Sequence, residues 1–392
     1  MTGPAGETAS PCRALFVVAG LPAGGAERQL VLLLRGLDRG AFTPGLLIFN
    51  GQDKVHYRDV FEELRWFRAL SLSGHSAARL LWPILAGINR AVREFAPDVV
   101  FSTLNVANHT VRASRLLYRW AAPIVTSVRA DFRQGYRLRE RIAERLLWRS
   151  SDYIVCNSPA VRDDMIVDLG IPASRIGVVA NGLDPIFFEA PTVAPPAWWP
   201  QGRAALVVGR FSPEKNHLGM IKAVSRLDRA GKLSDWRFVL VGEGPLENDI
   251  RAAISNAGLG QRVALQAPVP DPWRLYHAAT VVVIPSRMEA LPNVALEAQA
   301  AGRPVAITAG ANRAGVVDAG SGFFLGQDLC SALADVLSTS DDELARRGAA
   351  ARQRMLDRFS ADVMVQEMQR LLRRVAITHD ADLGSAVTEA PR

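Results

Sequence analysis

Two cationic side chains flank the start of a predicted helix, directly after a predicted strand. They lie in the segment Val208-Gly-Arg-Phe-Ser-Pro-Glu-Lys-Asn216, where Ser212 and Pro213 are typical of a helix N-terminus. Arg210 and Lys215 can reach the same anion, and a guanidinium with an ammonium suits a diphosphate. Lys215 is one of only four lysines in the chain. The alternative interpretation is a pair of solvated surface cations.

Two carboxylates separated by seven residues form a second candidate site, in the segment Ser286-Arg-Met-Glu-Ala-Leu-Pro-Asn-Val-Ala-Leu-Glu-Ala298. Pro292 begins a predicted helix, which leaves Glu289 in the preceding loop and Glu297 about one turn into the helix. Paired carboxylates suit hydrogen bonds to sugar hydroxyls. The alternative is two acidic residues stabilised by the helix dipole. The backbone amides that can bind an anion at this helix start belong to Leu291, Asn293 and Val294.

A glycine-rich loop, Gly20-Leu-Pro-Ala-Gly-Gly-Ala-Glu-Arg28, follows the first predicted strand. Gly24 and Gly25 allow backbone amides to approach a ligand at the start of a helix, where the dipole is positive. The loop therefore suits a phosphate, although it lacks the G-x-G-x-x-G spacing of dinucleotide-binding proteins. A simple glycine-rich turn is the alternative.

These loops must be positioned by alternating strands and helices, which indicate parallel α/β domains. Strands are predicted at Ala14–Val18, Gly45–Phe49, Val99–Ser102, Ile124–Ser127, Tyr153–Cys156, Ile176–Val179, Ala205–Val208, Phe238–Val241, Val263–Gln266, Thr280–Ile284 and Pro304–Ile307. Helices are predicted between them, for example at Ala26–Leu37, Ala77–Phe95, Leu138–Arg149, Asn216–Ala230, Leu246–Ala257 and Val294–Ala301. Ligands of such sheets bind at the carboxyl ends of the strands.

The predicted fold is α/β, with two Rossmann-like parallel-sheet domains that face each other across a cleft. A segment with four prolines, 189–201, predicts a stiff linker between residues 12–188 and residues 202–359. A last helix is predicted at about 361–375, followed by a frayed tail at 376–392.

Five motifs occur together in one order: Gly24-Gly-Ala-Glu-Arg28, Asn181-Gly-Leu-Asp184, Gly209-Arg-Phe-Ser-Pro-Glu-Lys215, Val241-Gly-Glu-Gly-Pro245 and Glu289-x7-Glu297. In combination they resemble the retaining, family-four glycosyltransferases of GT-B architecture, over about residues 13–375. The resemblance implies that the second domain holds most of a nucleotide-sugar. It also implies that the last helix crosses back to pack on the first domain.

The resemblance implies a role for each matching residue. Arg210 and Lys215 neutralise the donor diphosphate, and Glu289 binds hydroxyls of the transferred sugar. Glu297 holds the ribose, and Glu243 lies near the nucleotide. The loop of Gly24 and Gly25 covers the phosphates, and the base lies against 267–269.

The sequence departs from the family pattern at one loop. Many members carry a histidine after the fourth strand of the first domain, whereas this chain has Thr126-Ser-Val-Arg-Ala-Asp131. Arg129 is the expected substitute, with Asp131 beside it; the alternative is that Arg129 only braces the loop. His109, in the preceding loop, is either a further acceptor-side residue or part of the scaffold.

Composition narrows the possible partners. No apolar run approaches the ~18 residues of a membrane span, and residues 1–11 do not resemble a signal peptide, so we expect a cytoplasmic protein. Residues 112–149 hold ten arginines against three acidic residues. This stretch is either a solvated face or a surface that attracts an anionic membrane, in which case the enzyme is peripheral at the inner face of the plasma membrane. No nucleic-acid module is present, so nucleic acid is not an expected partner.

No metal or other cofactor is expected. The three cysteines lack metal-ligand spacing, and the cations at Arg210 and Lys215 already neutralise the diphosphate. The sequence Asp380-Ala-Asp382 spells a metal-binding signature of other glycosyltransferases, but it lies in the predicted tail and is interpreted as coincidence.

The expected activity is transfer of a sugar, with retention, from a UDP-linked donor to a hydroxyl of a saccharide or lipid-linked saccharide in bacterial glycan synthesis. The leaving phosphate is expected to accept the acceptor's proton, because no side chain is an obvious nucleophile. Two alternatives stay open: a nucleotide-sugar epimerase on the same architecture, and a non-catalytic nucleotide-sugar-binding protein.

Overall fold

The computed structural model describes residues 10–22, 24–49, 57, 59–70, 77–130, 132–133, 136–192 and 194–388. These residues fall into two compact units, one within the bounds Met1–Gly182 and Met364–Arg392 and the other at Leu183–Val363. Each unit is a parallel sheet covered by helices, as the alternating pattern predicts.

The first unit is built on a seven-stranded sheet of order β3-β2-β1-β4-β5-β6-β7. Its strands are β1 (Cys12–Val18), β2 (Phe42–Ile48), β3 (Trp66–Ala69), β4 (Val99–Thr103), β5 (Ile124–Val128), β6 (Tyr153–Cys156) and β7 (Ile176–Val178). Its helices are α1 (Gly25–Gly36), α2 (Asp59–Glu62), α3 (Ala77–Phe95), α4 (Asn105–Tyr118), α5 (Leu138–Leu147), α6 (Pro159–Leu169) and the last helix of the chain, α13 (Ala361–Thr388).

Alternating residues of β1 divide the core of this unit into two layers, because successive side chains of a strand point to opposite faces. Phe16 and its neighbours pack with α1 and with α13, which contributes Met368 and Leu372. Leu15 and Val17 face the other way and pack with α3 and α4. Both faces of the sheet are therefore buried, as in other parallel sheets.

The second unit is built on a six-stranded sheet of order β10-β9-β8-β11-β12-β13. Its strands are β8 (Ala204–Val208), β9 (Arg237–Val241), β10 (Val263–Gln266), β11 (Val281–Ile284), β12 (Val305–Thr308) and β13 (Gly322–Leu325). Its helices are α7 (His217–Arg229), α8 (Glu247–Asn256), α9 (Pro272–Ala278), α10 (Asn293–Ala300), α11 (Leu329–Leu337) and α12 (Asp341–Phe359). The predicted two-domain parallel α/β fold is confirmed.

The chain passes from the first unit to the second at Gly182, before the proline-rich segment. Gln29 holds Gly182 through two hydrogen bonds, from its Nε2 to the carbonyl (2.8 Å) and from the Gly182 amide to its Oε1 (2.7 Å). The described residues of the segment predicted as the linker, 189–192 and 194–201, fall within the bounds of the second unit, where Trp198 and Trp199 pack against its core. The large indole rings of these two residues favour a position packed on a core over one in an exposed linker.

The last helix is longer than predicted. It continues to Thr388, whereas the sequence analysis ends it at about residue 375 and predicts a frayed tail. The residues that follow Val375 include no proline before Pro391, so no proline blocks a helical backbone there. The side chains of Asp380 and Asp382 lie outside the described part of the chain.

Candidate active site

Two loops at the carboxyl ends of β8 and β9 are joined by backbone hydrogen bonds. The Phe211 amide donates to the Glu243 carbonyl (2.8 Å), and the Leu246 amide donates to the Phe211 carbonyl (3.0 Å). A Cβ on Gly242 would lie 2.0 Å from the Gly209 oxygen, and one on Gly244 would lie 2.7 Å from the Phe211 oxygen. Only glycine therefore permits this close approach. The Glu243 side chain, beside this contact, is exposed.

Lys215 and Glu289 lie together, although they come from different motifs. The Lys215 Nζ donates to the Glu289 Oε1 at 2.5 Å, and the two side chains are 25% and 16% exposed. Lys215 ends a short helical turn, Pro213–Lys215, that follows Ser212. The Arg287 amide donates to the Glu214 carbonyl (2.8 Å) and holds this turn to the loop that carries Glu289. The pair remains accessible to a ligand.

Arg210 belongs to the same loop as Lys215, directly after β8, and its side chain is exposed. The Ser212 amide donates to the Arg210 carbonyl (2.9 Å), which fixes the backbone of this turn. The loop thus presents two cations, one paired with a carboxylate and one exposed to solvent.

Glu297 is buried within α10, and Tyr276 of α9 donates its hydroxyl to the Glu297 Oε2 at 2.7 Å. A buried carboxylate requires such a partner, because its desolvation is costly. The sequence analysis does not predict Tyr276. No local pattern marks it, since its partner is 21 positions away in the chain.

The start of α10 presents backbone amides beside these carboxylates. Pro292 precedes the helix, and its carbonyl accepts the amides of Ala295 (2.9 Å) and Leu296 (3.3 Å). The amides of Asn293 and Val294 precede these first helical hydrogen bonds. Leu291 is buried just before this start. The position suits an anion because the helix dipole adds partial positive charge there.

His217, at the first position of α7, packs its ring edge-on against Phe211 at 5.0 Å between centroids. Neither ring nitrogen has a hydrogen-bond partner in the described part of the chain. Burial and the nearby Lys215 ammonium lower the pKa of His217 to about 4. The imidazole is therefore neutral at physiological pH and serves as packing.

In the first unit, Arg129 lies at the carboxyl end of β5, near the start of α1. Its Nη1 donates to the Asn181 Oδ1 at 2.6 Å. Burial lowers the pKa of Arg129 to about 10, and the Glu27 carboxylate partly opposes that shift. Glu27 folds back over the helix start, so that a Cβ on Gly24 would lie 2.1 Å from its Oε2. Arg129 and the glycine-rich loop thus belong to one cluster.

The other two residues predicted on the acceptor side are Asp131 and His109. Asp131 lies outside the described residues. His109 lies with its Nε2 3.1 Å from the Glu144 Oε2, and the same oxygen accepts a hydrogen bond from the Arg112 Nη1 at 2.8 Å. His109 is thereby part of a buried scaffold network, one of the two alternatives that the sequence analysis left open.

The arginines of residues 112–149 do not form one solvated face. Arg112 is fully buried and also donates to Ser151 (2.6 Å) and Thr126 (2.8 Å). Three others have internal partners: Arg115 pairs with Asp152, Arg129 with Asn181, and Arg133 with Asp164 and Asp168. These partners all belong to the first unit. Part of the positive charge that the sequence analysis assigns to the surface is therefore paired within the unit.

Neither a metal cluster nor a membrane span is found in the described ranges. No three His, Cys, Asp or Glu side chains there lie close enough together to hold a metal ion. No helix there has the length and apolar character needed to cross a membrane.

Comparison with known families agrees with this geometry. The model of the glycosyl transferases group 1 matches residues 198–354, and that of glycosyltransferase family 4 matches residues 23–187. The chain belongs to these family-four glycosyltransferases and is an enzyme that transfers sugars. The family inferred from the five motifs is thereby confirmed.

Several curated proteins are similar to this chain. The D-inositol 3-phosphate glycosyltransferase of Arthrobacter is 31% identical over 51% of this chain, and the match spans only 49% of that protein. The lipopolysaccharide core biosynthesis glycosyltransferase LpsD of Rhizobium meliloti is 29% identical over 72% of this chain and 74% of its own length. The N-acetylgalactosamine-N,N'-diacetylbacillosaminyl-diphospho-undecaprenol 4-alpha-N-acetylgalactosaminyltransferase of Campylobacter jejuni is 24% identical over 74% of this chain and 78% of its own length.

Solved structures share the fold. The Anabaena protein HepE, in complex with UDP and glucose, superposes with a TM-score of 0.75 at 18% identity and covers 93% of this chain and 100% of its own. Sucrose-phosphate synthase of Thermosynechococcus elongatus superposes with a TM-score of 0.75 at 17% identity, covering 94% and 100%. The GT-B architecture is thereby shown.

Proposed function

We propose that this enzyme transfers a sugar, with retention, from a UDP-sugar to a hydroxyl of a saccharide or lipid-linked saccharide. The observation that carries the proposal is the contact between Lys215 and Glu289 at the carboxyl ends of β8 and β11. A cation beside a carboxylate suits a ligand with both a diphosphate and sugar hydroxyls. The UDP-bound HepE structure supports the choice of nucleotide, and the Campylobacter relative supports a lipid-linked acceptor.

Lys215 has one role toward Glu289 and a second toward the donor. Without donor, its ammonium is neutralised by Glu289. An ammonium has three donors, so it can keep Glu289 and also bind a phosphate oxygen. Glu289 then accepts hydrogen bonds from hydroxyls of the sugar. Glu297, oriented by Tyr276, binds the ribose hydroxyls.

Charge stabilisation carries the proposed chemistry. The bond between the anomeric carbon and the diphosphate oxygen breaks, and negative charge develops on the leaving diphosphate. Arg210, Lys215 and the amides at the start of α10 stabilise that charge. The acceptor oxygen attacks on the same face and forms the new glycosidic bond, while its proton passes to the leaving phosphate. The configuration at the anomeric carbon is thereby retained.

No metal is required in this proposal, because protein groups supply the positive charge. Arg129, in the first unit, takes the place of the family's histidine, with Glu27 and Asn181 fixing its guanidinium. We further propose that the enzyme is cytoplasmic and peripheral at the membrane that holds its acceptor.

The test is turnover with a panel of nucleotide-sugars, with and without EDTA. We expect slow release of UDP from one UDP-sugar without acceptor, and faster release when membrane lipid extract supplies one. NMR of the product is expected to show the donor's anomeric configuration. A new nucleotide-sugar formed at the expense of the first, with their total unchanged and no UDP released, would indicate an epimerase. An inverted product or loss of activity with EDTA would contradict the mechanism.

A further inference from the structure

The helix α5 has its apolar face turned to solvent. Leu138, Ile142 and Leu146 are 74%, 51% and 74% exposed. They are spaced four residues apart and therefore lie along one face of the helix. We call these three residues the α5 stripe.

The side chain that α5 buries fully is polar. The one fully buried side chain of this helix is Glu144, which binds Arg112 of α4. The arrangement is the reverse of an ordinary surface helix, which buries its apolar stripe. Other exposed large apolar residues, such as Val167 of α6 and Ile377 of α13, stand singly on separate helices. The α5 stripe therefore does not stabilise the fold and is available to a partner.

Arginines flank the stripe on both sides. At 100° per residue, Arg141 and Arg145 lie on one side of it and Arg139 on the other. Two more arginines, Arg137 and Arg149, are exposed at the two ends of the helix. Four of the ten arginines of residues 112–149 have partners inside the unit, and a fifth, Arg119, ends α4. The other five lie on α5 or at its ends, where Arg141 also packs over the Phe132 ring.

We propose that α5 docks on an anionic membrane surface. The α5 stripe enters the boundary between headgroups and acyl chains, and the flanking arginines bind lipid phosphates, which is the pattern of an interfacial helix. A second copy of this chain suits the stripe less well, because a twofold contact would bring like-charged arginine rows together. An anionic lipid surface matches both the apolar and the charged parts.

Two other helices of this unit, α4 and α3, also expose large apolar side chains. Leu116 and Leu117 of α4 are 56% and 47% exposed, and α4 is joined to α5 through Arg112 and Glu144. Trp82 of α3 is 64% exposed, and an indole suits the headgroup region. The inference deepens the proposed function, on which it rests for its purpose: docking brings the enzyme to an acceptor that is anchored in lipid.

The experiment is co-sedimentation of the full chain with phosphatidylcholine vesicles, with and without phosphatidylglycerol. The key variant replaces Leu138, Ile142 and Leu146 by glutamine, which preserves helix propensity. The matched control places glutamine at Val167 and Ile377, equally exposed but isolated. A second comparison tests the charge. The double variant Arg139→Gln/Arg145→Gln is compared with the control double variant Arg251→Gln/Arg358→Gln.

The wild type is expected to bind the anionic vesicles and to release them as salt rises. The stripe variant and the Arg139/Arg145 variant are each expected to lose about tenfold or more in partition coefficient, with both controls unchanged. Wild-type binding that ignores phosphatidylglycerol, or a stripe variant that binds normally, would overturn the proposal. A salt-resistant dimer that the stripe variant abolishes would assign the face to a second copy instead.

Two further readouts separate a docking failure from other failures. Circular dichroism and melting temperature show whether the stripe variant is folded. Slow UDP release without acceptor, which does not need the membrane, is expected to be unchanged in that variant. If no protein releases UDP while vesicle binding behaves as predicted, the proposed function fails and the docking surface stands.

Discussion

At the scale of single residues, the candidate site depends on carboxylates that have protein partners before any ligand binds. Glu289 is paired with Lys215, and Glu297 with Tyr276. A partner fixes the rotamer of a carboxylate and reduces its desolvation cost. The two pairs differ in burial: the first is partly exposed, while the second is buried. We therefore expect the first pair to respond to the donor's charge and the second to preserve the shape of the site.

Tyr276→Phe tests the second pair. Removing the hydroxyl leaves the buried Glu297 without its hydrogen bond from α9, at a cost of about 1–3 kcal/mol. If the carboxylate then loses its orientation toward the ribose, donor Kd rises roughly fivefold to a hundredfold, with kcat little changed. Titration with UDP measures the change, and Tyr118→Phe in the first unit is the control. A loss confined to kcat would contradict the proposed positioning role.

The sequence predicts the residues proposed to contact the ligand, but not the residues that hold them or the neighbouring backbone in place. Arg210, Lys215, Glu289 and Glu297 lie in short motifs whose spacing is visible in the chain. Tyr276 and Gln29 contact partners that are distant in sequence, and their own surroundings carry no pattern. Such contacts depend on how separate elements pack, which local spacing does not encode.

At the scale of elements, the loops after β8 and β9 function as one piece because glycines allow their backbones to touch. The Cβ of any other residue at position 242 would lie 2.0 Å from the Gly209 oxygen. That contact is closer than any real Cβ approach, so one loop must move. Arg210 and Lys215 belong to the loop after β8. Their positions therefore depend on the loop after β9, which contacts it.

Gly242→Ala is therefore expected to weaken donor binding although no ligand-facing side chain changes. We expect at least a tenfold rise in Kd for UDP, because displaced cations lose their geometry. Gly260→Ala is the matched control, since a Cβ there meets nothing within 4 Å. Titration calorimetry measures both. Equal affinity of the two variants would show that the loop contact does not position the site.

Elements were predictable where the pattern was long or apolar, and less so at the sheet edges. The central strands of both sheets are confirmed, since buried runs of β-branched residues mark them. The sequence analysis missed β3 and β13, which are four residues long and lie at the edges of their sheets. Neither contains a β-branched residue, since β3 reads Trp-Phe-Arg-Ala and β13 reads Gly-Phe-Phe-Leu, whereas the short edge strands β7 and β10 contain valine or isoleucine and are predicted. The proline-rich segment was interpreted as a linker because prolines exclude regular structure equally well inside a domain and between domains.

At the scale of the whole molecule, a buried ion pair couples the stability of the first unit to pH. Burial alone would raise the pKa of Glu144, but the Arg112 guanidinium and the hydrogen bonds of Arg112 and His109 lower it to about 2. Because the pKa is lower in the folded state, the stabilising contribution is complete above the unfolded pKa of ~4.3. It is lost as the pH falls from there towards 2.

Glu144→Gln is expected to reduce the free energy of unfolding by about 3–5 kcal/mol at neutral pH, because it leaves Arg112 buried without a counter-charge. The difference in unfolding free energy between variant and wild type is expected to narrow as the pH falls from ~4.3 through 2, because the wild-type carboxylate becomes protonated over that range. Calorimetric melting across that range measures this difference, with Glu247→Gln as the control, since Glu247 is 44% exposed and its ion pair with Arg251 lies at the surface. A difference in unfolding free energy that stays constant with pH would contradict the low pKa assigned to Glu144.

The central claim is that the second unit binds a nucleoside diphosphate through Lys215. The most direct measurement is titration calorimetry of UDP and UDP-sugars into the wild type, Lys215→Ala and Lys222→Ala. Lys222, exposed on α7, is the matched control because it removes the same charge from the same region. We expect Lys215→Ala to lose about 1.5–3 kcal/mol of binding free energy, roughly tenfold to a hundredfold in Kd, with Lys222→Ala unchanged. Equal affinity of all three proteins, or no binding by the wild type, would contradict the account.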